Sequence, residues 1–275
     1  MMEDYEGVII WDLPSQIRNK YLKYCFSHSI RCYMSPKISD IILLGTDRIH
    51  LFDTPLLMCR NQGLSMEQRA AKRVLDIIVS GLGIIVSSPI MLIIAIAVKA
   101  YDGGPVFYLQ DRLTYQGKEF RIRKFRSMCV DSEKNGARLA SKHDSRITPV
   151  GHVLRNLHLD ELPQLFNVFM GDMSLVGPRP ERDVIMQEYE QEIPEFHYRL
   201  KVKAGLTGYA QVYGKYNTTP YDKLKLDLFY IENYSFLLDI KLLFMTVKIF
   251  FQKEVSEAWM IIRRTLLRIP KTKNK

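Results

Sequence analysis

The sequence predicts an α+β fold, mainly helical, organised around a membrane element. Three observations predict it. Residues 77–98, IIVSGLGIIVSSPIMLIIAIAV, are 22 consecutive uncharged residues, and about 20 apolar residues can cross a hydrocarbon core. Residues 106–125 alternate as a β-hairpin does, with Phe120 and Ile122 on one face and Arg121 and Arg123 on the other. Residues 148–171 carry helix caps and apolar stripes at helical spacing. With 275 residues, 47% hydrophobic and 25% charged, the chain can form a sizeable core of one or two domains. A disordered chain, a collagen, a disulfide miniprotein and a many-span transporter are excluded.

In chain order, residues 1–66 read as a partial, incomplete Rossmann-like α/β region. Strands are expected at 8–10, 41–44 and 49–52, and a helix at 15–26. The glycines Gly7, Gly45 and Gly63 make no GxGxxG, so no nucleotide site is read there. Cys25, Cys32, Cys59 and Cys129 show no CxxC or zinc spacing, which points to free thiols in a reducing compartment. The first 15 residues carry four acids and no base, so a secretory leader is not expected.

A second, membrane-associated region is expected over 67–255. Within the apolar segment, Pro89 removes a backbone donor and disfavours helix at Ser88, so a break is expected at Ser88-Pro89, with serine hydroxyls satisfying the freed carbonyls. Bases flank both ends, so charge sets no orientation. A kinked re-entrant hairpin and a kinked single span both remain open. Lys72, Arg73 and Asp76 are read as an anchor at the interface, Asp76 pairing with one of the bases. Residues 236–251 are apolar but contain Asp239, Lys241 and Lys248. An amphipathic interfacial helix with snorkelling lysines and a core helix with one wet edge fit equally well.

The net charge is +9. Six bases and no acid fall in residues 263–275, within a basic tail at 256–275, and the rest of the chain carries only +3. A histone-like coat of charge is excluded; the tail fits contact with anionic lipid headgroups or a frayed, solvated end equally well, and the 77–98 segment speaks against a nucleic-acid-binding protein.

Thr148-Pro149 reads as an N-cap and first helical residue. Val150, Val153, Leu154 and Leu157 form an apolar stripe at helical spacing, with Arg155 off it, where it could face a ligand. A second helix carries Leu162, Leu165, Phe166 and Phe169 and stops at Gly171. Asp160 and Glu161 therefore sit at or beside a helix start. Asp is a favoured cap there, and composition alone favours that reading. The same geometry gathers phosphate groups, and adjacent carboxylates point in different directions, so one could attack phosphorus while the other holds Mg²⁺. Arg179, fixed between Pro178 and Pro180, presents a pre-positioned guanidinium. A rigid surface loop is the plain alternative. Arg121, Arg123, Lys124 and Arg126 form a basic cluster, usually a solvated strand face.

The runs KRVLDII, GGPVFYLQDR, KFRSM, LRNLHLDELPQLFNVFMGDMSLVGPRPE and KAGLTGYAQVYGKY resemble the bacterial sugar transferase family. These are monotopic polyprenyl-phosphate phosphoglycosyl transferases that begin capsule, exopolysaccharide and O-antigen synthesis. The resemblance covers about residues 70–252. It implies a re-entrant helix-break-helix at Ser88-Pro89 on the cytoplasmic face of the bacterial inner membrane. It implies Asp160 as nucleophile, Glu161 as Mg²⁺ ligand, and phosphate binding by Lys124, Arg126 and Arg155, with Pro178, Arg179 and Pro180 holding the nucleotide. The implied reaction moves a phosphosugar from a UDP-sugar to polyprenyl (undecaprenyl) phosphate and releases UMP through an aspartyl-phosphosugar. A catalytically inactive membrane scaffold is the alternative. Residues 1–66 resemble the closing part of a soluble domain ahead of the catalytic domain in larger members. His158, Leu113-Thr114 and Ala204 depart from the family pattern. The sugar and the oligomeric state, including a homo-oligomer, stay open.

Overall fold

A computed structural model describes residues 6–59, 63–130, 132, 144–215 and 217–249. The tail at 256–275 lies outside them. The chain divides into two compact units, residues 1–60 and 61–275.

The first unit is a β-α-β element followed by a helix and a hairpin. Strands β1 (Gly7–Ile10) and β2 (Arg31–Met34) pair in parallel across helix α1 (Ser15–Ser27). Helix α2 (Ile38–Leu44) occupies the place where a strand was expected at 41–44. A short apolar run does not reveal its own period. Here Ile38 and Ile41, three apart, are the buried pair, and Asp40 closes a capping box and takes the Arg18 guanidinium. Strands β3 (Asp47–Leu51) and β4 (Thr54–Met58) complete the unit as an antiparallel hairpin.

The second unit begins with α3 (Met66–Asp102), 37 residues long and about 55 Å at 1.5 Å per residue. Ser65 caps it, accepting from the Gln68 amide, while Gln68 returns a bond to the Ser65 amide. Gly103, at φ 70°, ends it. The helix is not interrupted at Pro89. Proline cannot donate to the carbonyl of Ile85, but Ser88 Oγ does so at 2.8 Å, and Ser87 Oγ bonds the Gly83 carbonyl at 2.6 Å. The expected satisfaction of the freed carbonyl is present without loss of helix.

The most apolar 18-residue window of α3 has a mean hydropathy of 2.5 and is only 17% buried. Leu82, Ile85, Val86, Leu92, Ile93 and Ile96 are all exposed. A core helix would bury such residues. The other face packs on the rest of the second unit: Met91, Ile94 and Val98 form one core with Phe125 and Leu154.

The start of α3 differs from expectation. Lys72 and Asp76 do not pair with each other at an interface. Lys72 donates to Asp239 at 2.6 Å and to the Tyr230 hydroxyl at 3.0 Å, and all three are buried. Asp76 accepts from Ser174 Oγ and the Leu175 amide. Arg73 donates to the carbonyls of Val168 and Phe169. Residues 72 and 76 are one turn apart on the face turned inward. These groups fasten the helix to the protein.

Strands β5 (Phe107–Leu113) and β6 (Glu119–Phe125) form the expected hairpin, with Gln116 and Gly117 at positive φ in its turn. Phe120 and Ile122 are buried, as the alternation requires, while Phe125, on the opposite parity, is buried in the core shared with α3. Helix α4 (Pro149–Asn156) has Thr148 as its cap. Leu154 is buried, but Val153 is 56% exposed. Helix α5 (Gln164–Met170) ends on Gly171 at φ 94°. Strands β7 (Ser174–Val176) and β8 (Gly205–Thr207) pair in parallel, with α6 (Asp183–Glu192) and a 3-10 segment (Pro194–Lys201) between them. Helices α7 (Tyr209–Tyr213), α8 (Pro220–Glu232) and α9 (236–249) follow. Helix α9 buries Asp239 and Leu242 and exposes Leu237, Phe244 and Val247 beside Lys241 and Lys248.

Candidate active site

Asp160 and Glu161 lie on a 3-10 turn (Leu159–Glu161) between α4 and α5. His158 begins it at φ 53°, a left-handed conformation that reverses the chain after α4. The sequence placed the two acids at a helix start. In the structure Leu162 and Pro163 stand between them and α5, which has only seven residues. The local cations, not a helix end, therefore supply the positive field.

Glu161 Oε1 accepts from Lys124 Nζ and from Arg179 Nη2, each at 2.7 Å. Burial pushes the Glu161 carboxyl upward, but the charges of Arg179 and Lys124 outweigh it and hold the group well below the usual carboxylate range. Burial pushes Asp160 upward as well, and there it prevails, leaving the carboxyl above its ordinary value. The Glu161 charge adds to this, and Lys124, Arg155 and His158 oppose it. Among the described residues, no hydrogen bond or ion pair holds the Asp160 carboxyl. Two adjacent carboxyls are thus driven apart, a pattern typical of divided roles.

The supports are built into the fold. Lys124 stands on β6. Arg155, on α4, is steadied by Ser127 Oγ at 2.8 Å. Gly151 permits that approach, since a Cβ there would lie 1.9 Å from the Ser127 carbonyl. The Pro178-Arg179-Pro180 backbone is held at three points. Gly205 donates to the Pro178 carbonyl, Arg199 to that of Arg179, and Arg112 to that of Pro180. Both prolines are buried, while the Arg179 side chain is about half exposed. Its remaining N–H groups can therefore reach a ligand.

Arg126 is placed differently. Its guanidinium is committed to Asp102, through two contacts, and to the Pro105 carbonyl at 2.7 Å. It ties the end of α3 to β6. Sequence reasoning missed Ser127, Arg112 and Arg199, whose partners are distant in the chain. It also missed Asn167, fully buried on α5, which bonds the Arg123 amide and the Arg121 carbonyl. An Asn inside an apolar stripe was the available signal.

Three cations face two carboxylates here, an arrangement suited to a diphosphate. Among the described residues no three His, Cys, Asp or Glu side chains cluster as a protein-only metal cage. The donors still suit Mg²⁺, which commonly takes one or two carboxylates and fills its shell with water and substrate phosphates. Glu161 is ionised, and Oε2 has no protein partner among the described residues.

The family model described as bacterial sugar transferase matches residues 67–253. The chain belongs to the bacterial sugar transferase family. A UDP-N-acetylgalactosamine-undecaprenyl-phosphate N-acetylgalactosaminephosphotransferase of Aeromonas hydrophila is 44% identical over 180 residues, 64% of this chain and 43% of that protein. A UDP-glucose:undecaprenyl-phosphate glucose-1-phosphate transferase of Klebsiella pneumoniae is 43% identical over 208 residues, 74% and 43%. An undecaprenyl-phosphate galactose phosphotransferase of Salmonella typhimurium is 36% identical over 237 residues, 80% and 49%. The chain thus spans a little under half the length of these relatives. The matched residues include all of α3 but Met66, the Asp160-Glu161 turn and the Pro178-Arg179-Pro180 loop.

Proposed function

We propose that this protein is a phosphoglycosyl transferase that moves a phosphosugar from a UDP-sugar to polyprenyl phosphate at the cytoplasmic face of a bacterial inner membrane. The observation that carries the reading is a half-buried Asp160, without a hydrogen bond or ion pair among the described residues, beside a Glu161 clamped by Lys124 and Arg179. The printed names of the relatives, which differ in sugar, support the substrate class and leave the sugar itself open.

In the first half-reaction an Asp160 carboxylate oxygen attacks the sugar-proximal phosphorus. An aspartyl-phosphate bond forms, the bond to the bridging oxygen breaks, and UMP leaves. In the second, an oxygen of polyprenyl phosphate attacks the same phosphorus and Asp160 departs as a carboxylate. Two easier displacements replace one transfer between a polar and a lipid substrate. Arg155, Lys124 and Arg179 offset the charge of the phosphates and hold them near Asp160. Glu161 would be the protein ligand of a Mg²⁺ ion, which when bound would add to the neutralisation of that charge.

The exposed apolar face of α3 is read as lipid-facing. Helix α9 lies at the surface with its exposed phenylalanines inward and Lys241 and Lys248 at the headgroups. In the bilayer, bending of this continuous helix at Pro89 would keep both of its ends on one side, the re-entrant placement we propose over a straight span. Labelling of Cys129 and of a Met66→Cys substitution from the same side supports this topology, and labelling from opposite sides refutes it. For the activity, the test is UMP release by membrane-embedded protein over a panel of UDP-sugars without acceptor. A burst limited to about one enzyme equivalent is expected. No release with any donor, while polysaccharide enzymes still bind the protein, would favour an inactive scaffold.

A further inference from the structure

Beyond the reaction centre, a cavity of about 780 Å³ lies at the turn of the β5–β6 hairpin, with Arg69, Tyr115, Tyr198 and Lys201 in its walls. It shares Arg69, Tyr115 and Lys201 with a second cavity of about 410 Å³ that continues along the first turns of α3. Lys124 is five residues along β6 from the turn-end residue Glu119, roughly 16 Å at ~3.3 Å per residue. These cavities are therefore separate from the surroundings of Asp160.

Their chemistry is amphiphilic and cationic. The Arg69 guanidinium lies over the Tyr115 ring at 4.9 Å, and the Lys201 ammonium over the Tyr198 ring at 5.4 Å. An aromatic face steadies a cation without neutralising it. Asp76 is the one acid among the described lining residues, and it is already engaged by Ser174 and the Leu175 amide. Lys203 lines the second cavity and is pushed down by burial and then by neighbouring Arg73; Lys118 adds to this, while Asp76 and Asp172 oppose it. Cations that depress one another are relieved by an anion. Leu64, Met66 and Val202 supply apolar wall. The second cavity reaches Asp76, immediately before the exposed Ile77 and Ile78 begin the apolar face of α3.

We propose that this double cavity binds the phosphate headgroup of an anionic bilayer phospholipid, held by Arg69 and Lys201 at the membrane surface. The inference rests on the membrane placement of α3 proposed above. A lipid bound here fixes the depth of the helix start against the bilayer and plays no part in phosphoryl transfer.

The test uses the full chain in phosphatidylcholine nanodiscs carrying a minor fraction of phosphatidylglycerol, with retained lipids counted by native mass spectrometry. The wild-type protein is expected to retain phosphatidylglycerol preferentially. Arg69→Gln with Lys201→Gln should lower that preference about 25-fold, fivefold per base, while UMP release persists. Lys201→Gln alone leaves the Arg69 bond to the Leu64 carbonyl in place and guards against misfolding; about a fivefold loss is expected. Equal retention of the two lipids by wild type, or an unchanged preference in Lys201→Gln, overturns the proposal. Displacement of phosphatidylglycerol by inorganic phosphate or by polyprenyl phosphate at matched concentration also overturns it. Failure of the membrane reading looks different: the protein then leaves nanodiscs of every composition.

Discussion

Arg179 Nη2 lies 2.7 Å from Glu161 Oε1, and the same oxygen takes Lys124. The guanidinium is positioned by a backbone held at Pro178, Arg179 and Pro180. Its planar fork can serve Glu161 and a phosphate together, which a lysine ammonium does less well. Arg179→Lys is expected to lower kcat/KM for UMP release at least about tenfold, equivalent to about 1.4 kcal/mol. Circular dichroism and thermal stability should stay near wild type. Unchanged kinetics would remove Arg179 from the site.

The Lys72–Asp239 pair at 2.6 Å is buried at both ends. Removing one partner leaves an uncompensated buried charge, typically 3–5 kcal/mol. Lys72→Met and Asp239→Leu should each destabilise by about that amount. The double variant should recover most of the loss, because apolar packing replaces a paired charge. Denaturation of all four proteins in one detergent measures the cycle. Additive losses would show that the two residues are not coupled.

Ser88 and Pro89 form a second coupled pair, because the serine hydroxyl bonds the Ile85 carbonyl that proline leaves free. Ser88→Ala is expected to cost about 1 kcal/mol with Pro89 present. With Pro89→Ala in the background, residue 89 regains its N–H and the cost of Ser88→Ala should fall near zero. An equal cost in both backgrounds contradicts the pairing.

Asp227 is buried against Arg199 at 2.8 Å, and burial, opposed by Arg199, pushes its carboxyl up to about 6. A raised carboxyl binds its proton more tightly in the folded state. Its contribution to stability is therefore greatest below the unfolded value near 4 and is lost as pH rises through about 6. At about 1.4 kcal/mol per pH unit between the two values, the loss across that window is on the order of a few kcal/mol. Asp227→Asn removes the window, so the stability difference between wild type and variant should change between pH 4 and 6 and stay flat above 7. Parallel curves across pH 4–7 would show that Asp227 titrates normally.

The sequence made legible whatever is local. The Thr148-Pro149 cap, the stop at Gly171, the Gln116-Gly117 turn and the alternation around Phe120 all appear in the structure, because each is decided by neighbouring residues. The 22-residue apolar run located the long exposed helix. Partnering across the chain was not legible. Lys72 and Asp76 sit beside other charges in sequence, yet their partners are Asp239 and Ser174, more than 90 residues away. Arg126 looked like part of a basic cluster, but Asp102 and the Pro105 carbonyl claim it. The 41–44 run became helix because the capping box of Asp40 and the spacing of Ile38 and Ile41 outweighed β-branched composition.

The central claim is that Asp160 carries the sugar phosphate. Protein in nanodiscs is incubated with an accepted UDP-sugar and Mg²⁺ but no polyprenyl phosphate, then digested and examined by mass spectrometry. The peptide containing Asp160 should gain the mass of the phosphosugar, lose it on addition of polyprenyl phosphate, and never gain it in Asp160→Asn. An unmodified peptide together with sustained product formation by Asp160→Asn would contradict the account.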